Sequence, residues 1–256
     1  MLATKNKTDR PENESENYLA ETQILNFSNP LIQNLIHQKN WRKLDTVAKV
    51  KAIYNYVRDE ILFGYNRSDS ISATQVLADG YGQCNTKSSL LMALLRAVGV
   101  PNRIHGFTID KALQKGAITG IWYLLAPKNI LHSWVEVYVD GNWYFLEGVI
   151  LDKPYLTALQ TQNSACKTTF CGYGAYTDNF QNPAIDWNLN HTYIQEKGIN
   201  QDFGLFDNPD EFYAQHQQKL GRIKAWMFQH IIRHKMNKNV QNIRNAKPFL
   251  PKSALL

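Results

Sequence analysis

A cysteine at the start of an apolar helix is the feature that most constrains this chain. The stretch from Gly80 to Pro101 reads GYGQCNTKSSLLMALLRAVGVP. After Cys84, leucines recur at helical spacing, and Gly99 followed by a proline is a typical helix stop. Unpaired N–H groups and the positive end of the dipole at a helix start favour a thiolate over a thiol. The sequence therefore predicts that Cys84 is placed as a nucleophile.

The pattern changes from helical spacing to alternation after this helix. Residues 103–109 alternate as a strand does, and two β-rich runs, 131–139 and 142–147, flank Asp140-Gly141. Asp-Gly between such runs is typical of an antiparallel hairpin with a type I′ turn. An amphipathic helix capped by Asp45 or Thr46 precedes the cysteine helix. We therefore expect an α+β fold, with the cysteine helix packed on an antiparallel sheet.

Three parts follow from composition along the chain. Residues 1–28 are predicted to be a flexible N-terminal arm, because the first of them are polar and charged. Residues 29–206 are predicted to form the main domain, with its informative motifs between 47 and 152. Residues 207–256 are predicted to be a helical extension that packs on or flanks this domain. The 256 residues, 44% of them hydrophobic, are enough for a sizeable core.

The basic charge of the chain is concentrated in this extension. The net charge is +6, and the residues from Phe212 onward contain Lys and Arg but no Asp or Glu. Two helices are expected there, at about 209–220 and 222–238. An anionic partner or a membrane surface could bind such a face, although a solvated helix face is the favoured explanation. No nucleic-acid-binding motif accompanies the charge.

Cysteine usage and hydropathy favour a soluble, cytoplasmic protein, with export by a non-classical route left open. Cys84, Cys166 and Cys171 are too few for a disulfide framework. We find no apolar core of a signal peptide and no run of about 18 apolar residues. The pair Cys166 and Cys171 lacks a matching second pair, so we expect no zinc site, no other metal and no cofactor.

A thiol, an imidazole and a carboxylate occur in the order that thiol-based acyl transfer uses. Cys84 would be the nucleophile, His132 the base, and Glu147 the group that orients the imidazole. In a hairpin with a two-residue loop, Glu147 lies opposite Trp134, which is the diagonal neighbour of His132 on the same face. The carboxylate is therefore predicted to reach the imidazole.

Other residues compete for supporting roles. Asp152 is the second-choice carboxylate, and Glu136 shares the face of His132 but lies two positions further along the strand. The backbone N–H of Cys84 is the expected oxyanion donor. Further donors or cleft-lining residues could come from a set of amide and indole side chains: Gln75, Gln83, Trp134 and Trp122.

Three blocks of this sequence resemble the transglutaminase-like superfamily, in its bacterial form. They are GYGQC with its helix and the exit RAVGVP, the strand HSWVEV, and GNWYFLE. The resemblance implies a papain-like α+β fold, with Cys84 as nucleophile, His132 as base, and Glu147 where the family usually has Asp. It further implies a thioester acyl-enzyme formed from a peptide or protein amide.

The resemblance leaves the reaction open. Members of the superfamily are similar to crosslinking enzymes, to deamidases and other amidases, and to peptidases, which differ in whether an amine or water accepts the acyl group. A non-catalytic binding module that uses the basic C-terminal helices is one alternative. A small-amine acyltransferase, as in the arylamine acetyltransferases, is another.

Overall fold

The computed structural model describes residues 17–218 and 220–245. The helices are α1 (Pro30–Gln38), α2 (Thr46–Asp59), α3 (Ala73–Asp79), α4 (Cys84–Ala97), α5 (Ile121–Leu125), α6 (Lys153–Gln162), α7 (Pro209–Gln215), α8 (Arg222–Met227) and α9 (Arg233–Asn245), with a π-helical segment, Phe228–Ile232, between α8 and α9. The strands are β1 (Leu62–Phe63), β2 (Tyr81–Gly82), β3 (Asn102–Asp110), β4 (Asn129–Val139), β5 (Asn142–Phe145), β6 (Phe170–Gly172), β7 (Ala175–Thr177) and β8 (Ile199–Phe206).

A four-stranded antiparallel sheet in the order β5-β4-β3-β8 carries the site. Alternation along β4 gives the strand two different faces. Ser133 and Val135 lie on the face that meets α4, where the Ser133 hydroxyl donates to Asn85. His132 and Trp134 lie on the opposite face. The predicted α+β class, with the cysteine helix packed on an antiparallel sheet, is confirmed.

Helix α4 lies at the centre of the core, and all of its residues are buried. Its buried cations have specific acceptors, as buried charge requires. The Lys87 ammonium donates to the carbonyls of Arg58 and Ile150 at 2.9 and 3.0 Å. The Arg96 guanidinium donates to the carbonyls of Asn17 and Ala20, among others. These bonds hold both ends of α4 in place, and with them the position of Cys84.

Residues 17–28 include side chains that pack into the core, which corrects part of the predicted arm. Residues 1–16 lie outside the described residues. Leu25 is fully buried and Ile24 nearly so, and the Ile24 N–H donates to Asp210 of α7. Apolar side chains at 24 and 25 gain burial in the core, and this offsets the entropy of ordering the segment. A flexible arm therefore does not reach residue 28.

The C-terminal helix α9 packs on the main domain through buried Met236, Val240 and Ile243. It extends to Asn245, beyond the predicted end at 238, while α7 ends at Gln215, before the predicted 220. The helices of residues 17–218 and 220–245 include none with the length and apolarity needed to cross a membrane.

Candidate active site

Cys84 is the first residue of α4, and local interactions determine how the chain enters this helix. The Gln83 N–H donates to the Thr86 hydroxyl at 3.1 Å, and that hydroxyl donates to Asn66 at 2.6 Å. A Cβ at Gly82 would lie 2.7 Å from the Thr86 hydroxyl, so glycine permits this approach. The N–H of Cys84 is one of the first four of α4, which have no acceptor within a helix.

His132 is fully buried on β4, next to the start of α4. Asn85, which follows Cys84, contacts both chain neighbours of the histidine. Its amide donates to the Leu131 carbonyl at 3.1 Å, and its amide oxygen accepts from the Ser133 hydroxyl at 2.9 Å. These two bonds fix the nucleophile helix relative to the histidine strand.

The imidazole of His132 uses one nitrogen for a carboxylate. Its Nε2 lies 3.0 Å from Glu147 Oε1, and both side chains are fully buried. Its Nδ1 makes no hydrogen bond within standard limits to any described residue. Nδ1 is therefore the nitrogen left for the Cys84 thiol.

The pKa of His132 is determined by burial and by two neighbouring side chains, Cys84 and Glu147. Burial by itself lowers the pKa of the imidazole. The charge of Cys84, together with the hydrogen bond and charge of Glu147, outweighs burial, so that the pKa of His132 is raised to about 9. An imidazolium beside a thiolate is the resting state that thiol-based acyl transfer needs.

The second oxygen of Glu147 is held by three consecutive backbone N–H groups. Oε2 accepts from Ile194, Gln195 and Glu196 at 2.8, 2.9 and 3.1 Å. Only an oxygen acceptor fits such a nest, and several N–H donors stabilise the ionised carboxylate. We did not predict this nest, because residues 160–206 carry turn chemistry but no motif that points to it.

The hairpin that supplies Glu147 differs in part from its predicted form. Asp140 and Gly141 both have positive φ, as a type I′ turn requires, and Glu136 pairs with Phe145 in the expected register. Strand β5 then ends, and Glu147 begins a short 3₁₀ turn instead of continuing opposite Trp134. The turn places the Glu147 carboxylate within hydrogen-bond distance of His132 Nε2.

The competing carboxylates lie elsewhere and have other partners. Asp152 caps α6 and forms a bidentate pair with Arg244 of α9 at 2.8 and 3.0 Å, which corrects its second-choice role. Glu136 lies between Arg103 at 2.8 Å and His105 at 2.9 Å. Both carboxylates have lowered pKa values: burial opposes the shift, and the hydrogen bonds and charges of these partners outweigh it. They are structural ion pairs.

The amide side chains considered as oxyanion donors are engaged with other groups. The Gln83 amide accepts from the Asn66 N–H at 2.8 Å and donates to Asp69 at 2.9 Å. Gln75 is exposed on α3 and donates to Asp79 at 2.7 Å. Gln75 also lies outside the lining of the Cys84 cavity. The predicted role of Gln75 therefore does not fit its position.

Of the two tryptophans considered, only one lines the Cys84 cavity. Trp134 packs between Phe107 and Phe145, with ring centroids 4.2 and 5.4 Å away, and its indole N–H is directed at Glu136. It supports the sheet face next to His132 and does not line the cavity. Trp122 of α5 does line the cavity, and the ammonium group of Lys235 in α9 lies 5.4 Å from the centre of its ring.

Cys84 opens into a cavity of about 440 Å³. One wall comes from the loop at residues 65–70, another from α5 and the start of β4, and the third from residues 213–236 of the C-terminal helices. The π-helical segment contributes Phe228, Gln229 and Ile232 to this third wall. A π-helical insertion widens a helix locally and is common at functional sites. The basic extension is therefore part of the cavity.

Cys166 and Cys171 take no part in this arrangement. All three cysteines are free thiols, with Cys166 half-buried and Cys171 exposed. Within residues 17–218 and 220–245, no group of three or more His, Cys, Asp or Glu side chains could hold a metal ion.

Comparison with known proteins agrees with the sequence motifs. Residues 34–148 match the model of the transglutaminase-like superfamily. The protein YebA of Bacillus subtilis (strain 168) is 32% identical over 109 residues, which are 39% of this chain and 14% of YebA. The chain thus spans only a small part of that relative. The predicted resemblance is confirmed by the family match over residues 34–148.

Overall similarity to solved structures is low. A candidate cysteine protease from Cytophaga hutchinsonii has a TM-score of 0.46 and 15% identity, covering 79% of this chain and 50% of that one. Red sea bream transglutaminase has a TM-score of 0.29 and 15% identity, covering 52% of this chain and 25% of that one.

Proposed function

We propose that this chain, whose residues 34–148 form a transglutaminase-like core, is a cysteine-dependent enzyme that transfers or hydrolyses the acyl group of a peptide or protein amide. One observation carries the proposal. The buried imidazole of His132 has Nε2 on Glu147 at 3.0 Å and Nδ1 left for Cys84, with its pKa raised to about 9 by the charge of that thiol.

In the first half-reaction the Cys84 thiolate attacks the carbonyl carbon of the amide, and a C–S bond forms. The carbonyl oxygen becomes an oxyanion, which the Cys84 N–H at the start of α4 can stabilise. The His132 imidazolium then gives its Nδ1 proton to the leaving nitrogen as the C–N bond breaks. Ammonia or an amine departs, and a thioester remains on Cys84.

In the second half-reaction an amine or a water molecule attacks the thioester carbon. His132 Nδ1 takes a proton from the incoming nucleophile, so the imidazolium forms again. The C–S bond breaks, and Cys84 leaves as a thiolate. Glu147 orients the ring in both half-reactions, because one of its oxygens lies on His132 Nε2 and the other accepts from three backbone N–H groups.

The cavity supports a peptide or protein amide as substrate. Its lining combines apolar and aromatic side chains with amides, and its volume of about 440 Å³ suits one amide-bearing side chain and part of a backbone. Cys84 is 8% exposed, so only a narrow group reaches the sulfur.

Incubation with glutamine-containing peptides, with and without a primary amine, tests the proposal by mass. Amine incorporation with ammonia loss indicates crosslinking chemistry, a gain of about one mass unit indicates deamidation, and fragments indicate proteolysis. Cys84→Ala is expected to abolish every such product, whereas the matched control Cys166→Ala retains them.

Thiol labelling supplies a second readout. We expect iodoacetamide to alkylate Cys84 faster than Cys171 near neutral pH, and His132→Ala to remove this advantage. Equal labelling of the two thiols, together with no product from any peptide, would count against the proposal.

A further inference from the structure

We propose that an open groove beside the Cys84 cavity binds an acidic peptide segment with an apolar side chain, as part of the substrate that carries the reactive amide. This inference rests on the function proposed above. The groove has a volume of about 760 Å³ and lies between the end of α5 and the start of α8. Its lining comprises Leu124, Ala126, Pro127, Leu220, Gly221, Arg222, Ile223 and Lys224.

The groove adjoins the Cys84 cavity. Both are lined by Ala126, Pro127, Leu220 and Lys224. A peptide that lies in the groove is therefore close enough for a neighbouring side chain to enter the cavity, and we treat the two as one binding cleft.

The charged side chains that line the groove are both positive. They are Arg222 and Lys224, and both are exposed. The opposite wall, Leu124, Ala126 and Pro127, carries no charge. The charged wall belongs to the stretch 212–245, which contains seven Lys and Arg and no Asp or Glu. Complementary charge on a partner raises the association rate and selects that partner.

The rim of the groove is apolar. Leu124 and Ile223, which line it, are 74% and 77% exposed. Exposed large apolar side chains next to charged ones at a groove are typical of an interaction site. An apolar side chain of the partner would cover them, so charge alone does not define the partner.

A recessed groove favours a peptide over a membrane. A lipid surface would cover the exposed side chains of the groove but would not enter the adjoining Cys84 cavity. The inner cavity also contains the carboxylate of Asp69, which is bonded to Gln83. Like charges repel, so the acidic residues of the substrate belong in the outer groove, some residues away from the reactive amide.

Binding of labelled peptides to the full chain carrying Cys84→Ala tests the groove without turnover. The probe is a glutamine peptide with an apolar residue and acidic residues on one flank. The comparison peptides replace the acids by Asn and Gln, replace them by Lys, or replace the apolar residue by Ser. We expect the acidic, apolar peptide to bind most tightly, and its Kd to rise as salt increases from about 0.05 to about 0.3 M.

Substitutions locate the effect. Arg222→Glu with Lys224→Glu is expected to raise Kd for the acidic peptide about tenfold, and Ile223→Ser about threefold. Lys43→Glu with Lys167→Glu, both exposed outside the groove, is the matched control for charge. Leu205→Ser, on exposed β8, is the matched control for apolar surface. Both controls are expected to leave Kd within about twofold.

Equal affinity for the lysine and acidic peptides, or no change with the groove substitutions, would overturn the inference. So would no peptide binding combined with salt-sensitive binding to phosphatidylserine vesicles, since the partner would then be a membrane. Peptide binding with the expected preference but no turnover by the wild-type chain would leave the groove standing and count against the proposed enzyme. Turnover by the wild-type chain without any preference among the peptides would support the proposed enzyme and count against the groove.

Discussion

Replacement of Glu147 by Gln tests the arrangement around His132 most directly. The backbone N–H groups of residues 194–196 donate to this position, so only an oxygen acceptor fits there. The amide oxygen of Gln would fill that place, and its NH₂ group would turn toward His132 Nε2. Nε2 must then accept a hydrogen bond, so the proton of the neutral ring moves to Nδ1, facing Cys84. The ring can no longer take a proton there.

The expected loss of activity in Glu147→Gln has two causes, the wrong tautomer of His132 and the loss of its anionic partner. In a Ser-His-Asp triad, an amide in place of the carboxylate lowers kcat about 10⁴-fold through the wrong tautomer, and we take this as the upper value for Glu147→Gln. That factor corresponds to about 5.5 kcal/mol of transition-state stabilisation. The imidazolium also loses an anionic partner, so the pKa of His132 is expected to fall from about 9 toward its ordinary value.

The assay combines kinetics with the state of the ring. Peptide turnover gives kcat/KM, and ¹⁵N NMR of labelled histidine distinguishes a proton on Nδ1 from one on Nε2. Glu147→Asp keeps the negative charge and is expected to lose less than Glu147→Gln. Thermal unfolding verifies that each variant is folded. A folded Glu147→Gln variant with kcat/KM within tenfold of wild type would refute the role assigned to this carboxylate.

Three further predictions concern ionisation. Activity is expected to fall as pH rises through about 9, because the imidazolium of His132 must give a proton to the leaving nitrogen. A fall in kcat/KM that already occurs as pH rises through about 6.5 would contradict this. Arg244→Met leaves the Asp152 carboxylate buried and unpaired, so unfolding free energy should fall by about 3–5 kcal/mol at pH 7 in urea titrations. The pKa of Asp152 is lowered in the folded state, so the stabilisation by this ion pair is fully present above pH about 4. The difference in unfolding free energy between wild type and Arg244→Met should therefore shrink as the pH falls through the folded pKa. An equal difference at pH 7 and pH 3 would be evidence against this role of the pair. Burial lowers the pKa of Lys87 to about 7, so between about pH 7 and 10 the unfolded chain binds a proton that the folded chain lacks. The unfolding free energy of wild type relative to Lys87→Met should therefore rise with pH, by about 2 kcal/mol from pH 7 to pH 9. No change of this difference with pH would contradict the lowered pKa.

Local chemistry made much of the nucleophile side predictable. Gly82, Cys84 and the helix stop lie within one short stretch, where capping and periodicity act over a few residues. Asp45 caps α2, and Asn208 with Pro209 begins α7, as the sequence indicates. The register of the hairpin is correct up to Phe145, because turn type and alternation determine it.

Long-range contacts explain what could not be predicted. The nest that holds Glu147 is 47 to 49 residues away along the chain, and no pattern in it points to a carboxylate. Asp152 looked available because its partner, Arg244, is 92 residues away. The basic extension looked like a solvated face, whereas its π-helical segment is a wall of the cavity. Each of these depends on packing between elements that local propensity does not describe.

The nest at residues 194–196 has a consequence for synthesis of this chain. Chains emerge from the ribosome N-terminal end first, and domains fold as units. Cys84, His132 and Glu147 are all translated before Ile194, Gln195 and Glu196, which donate to the carboxylate. A nascent chain therefore carries its cysteine in a crowded cellular environment before the base is oriented. The order of translation itself delays the reactivity of the thiol until the domain is nearly complete.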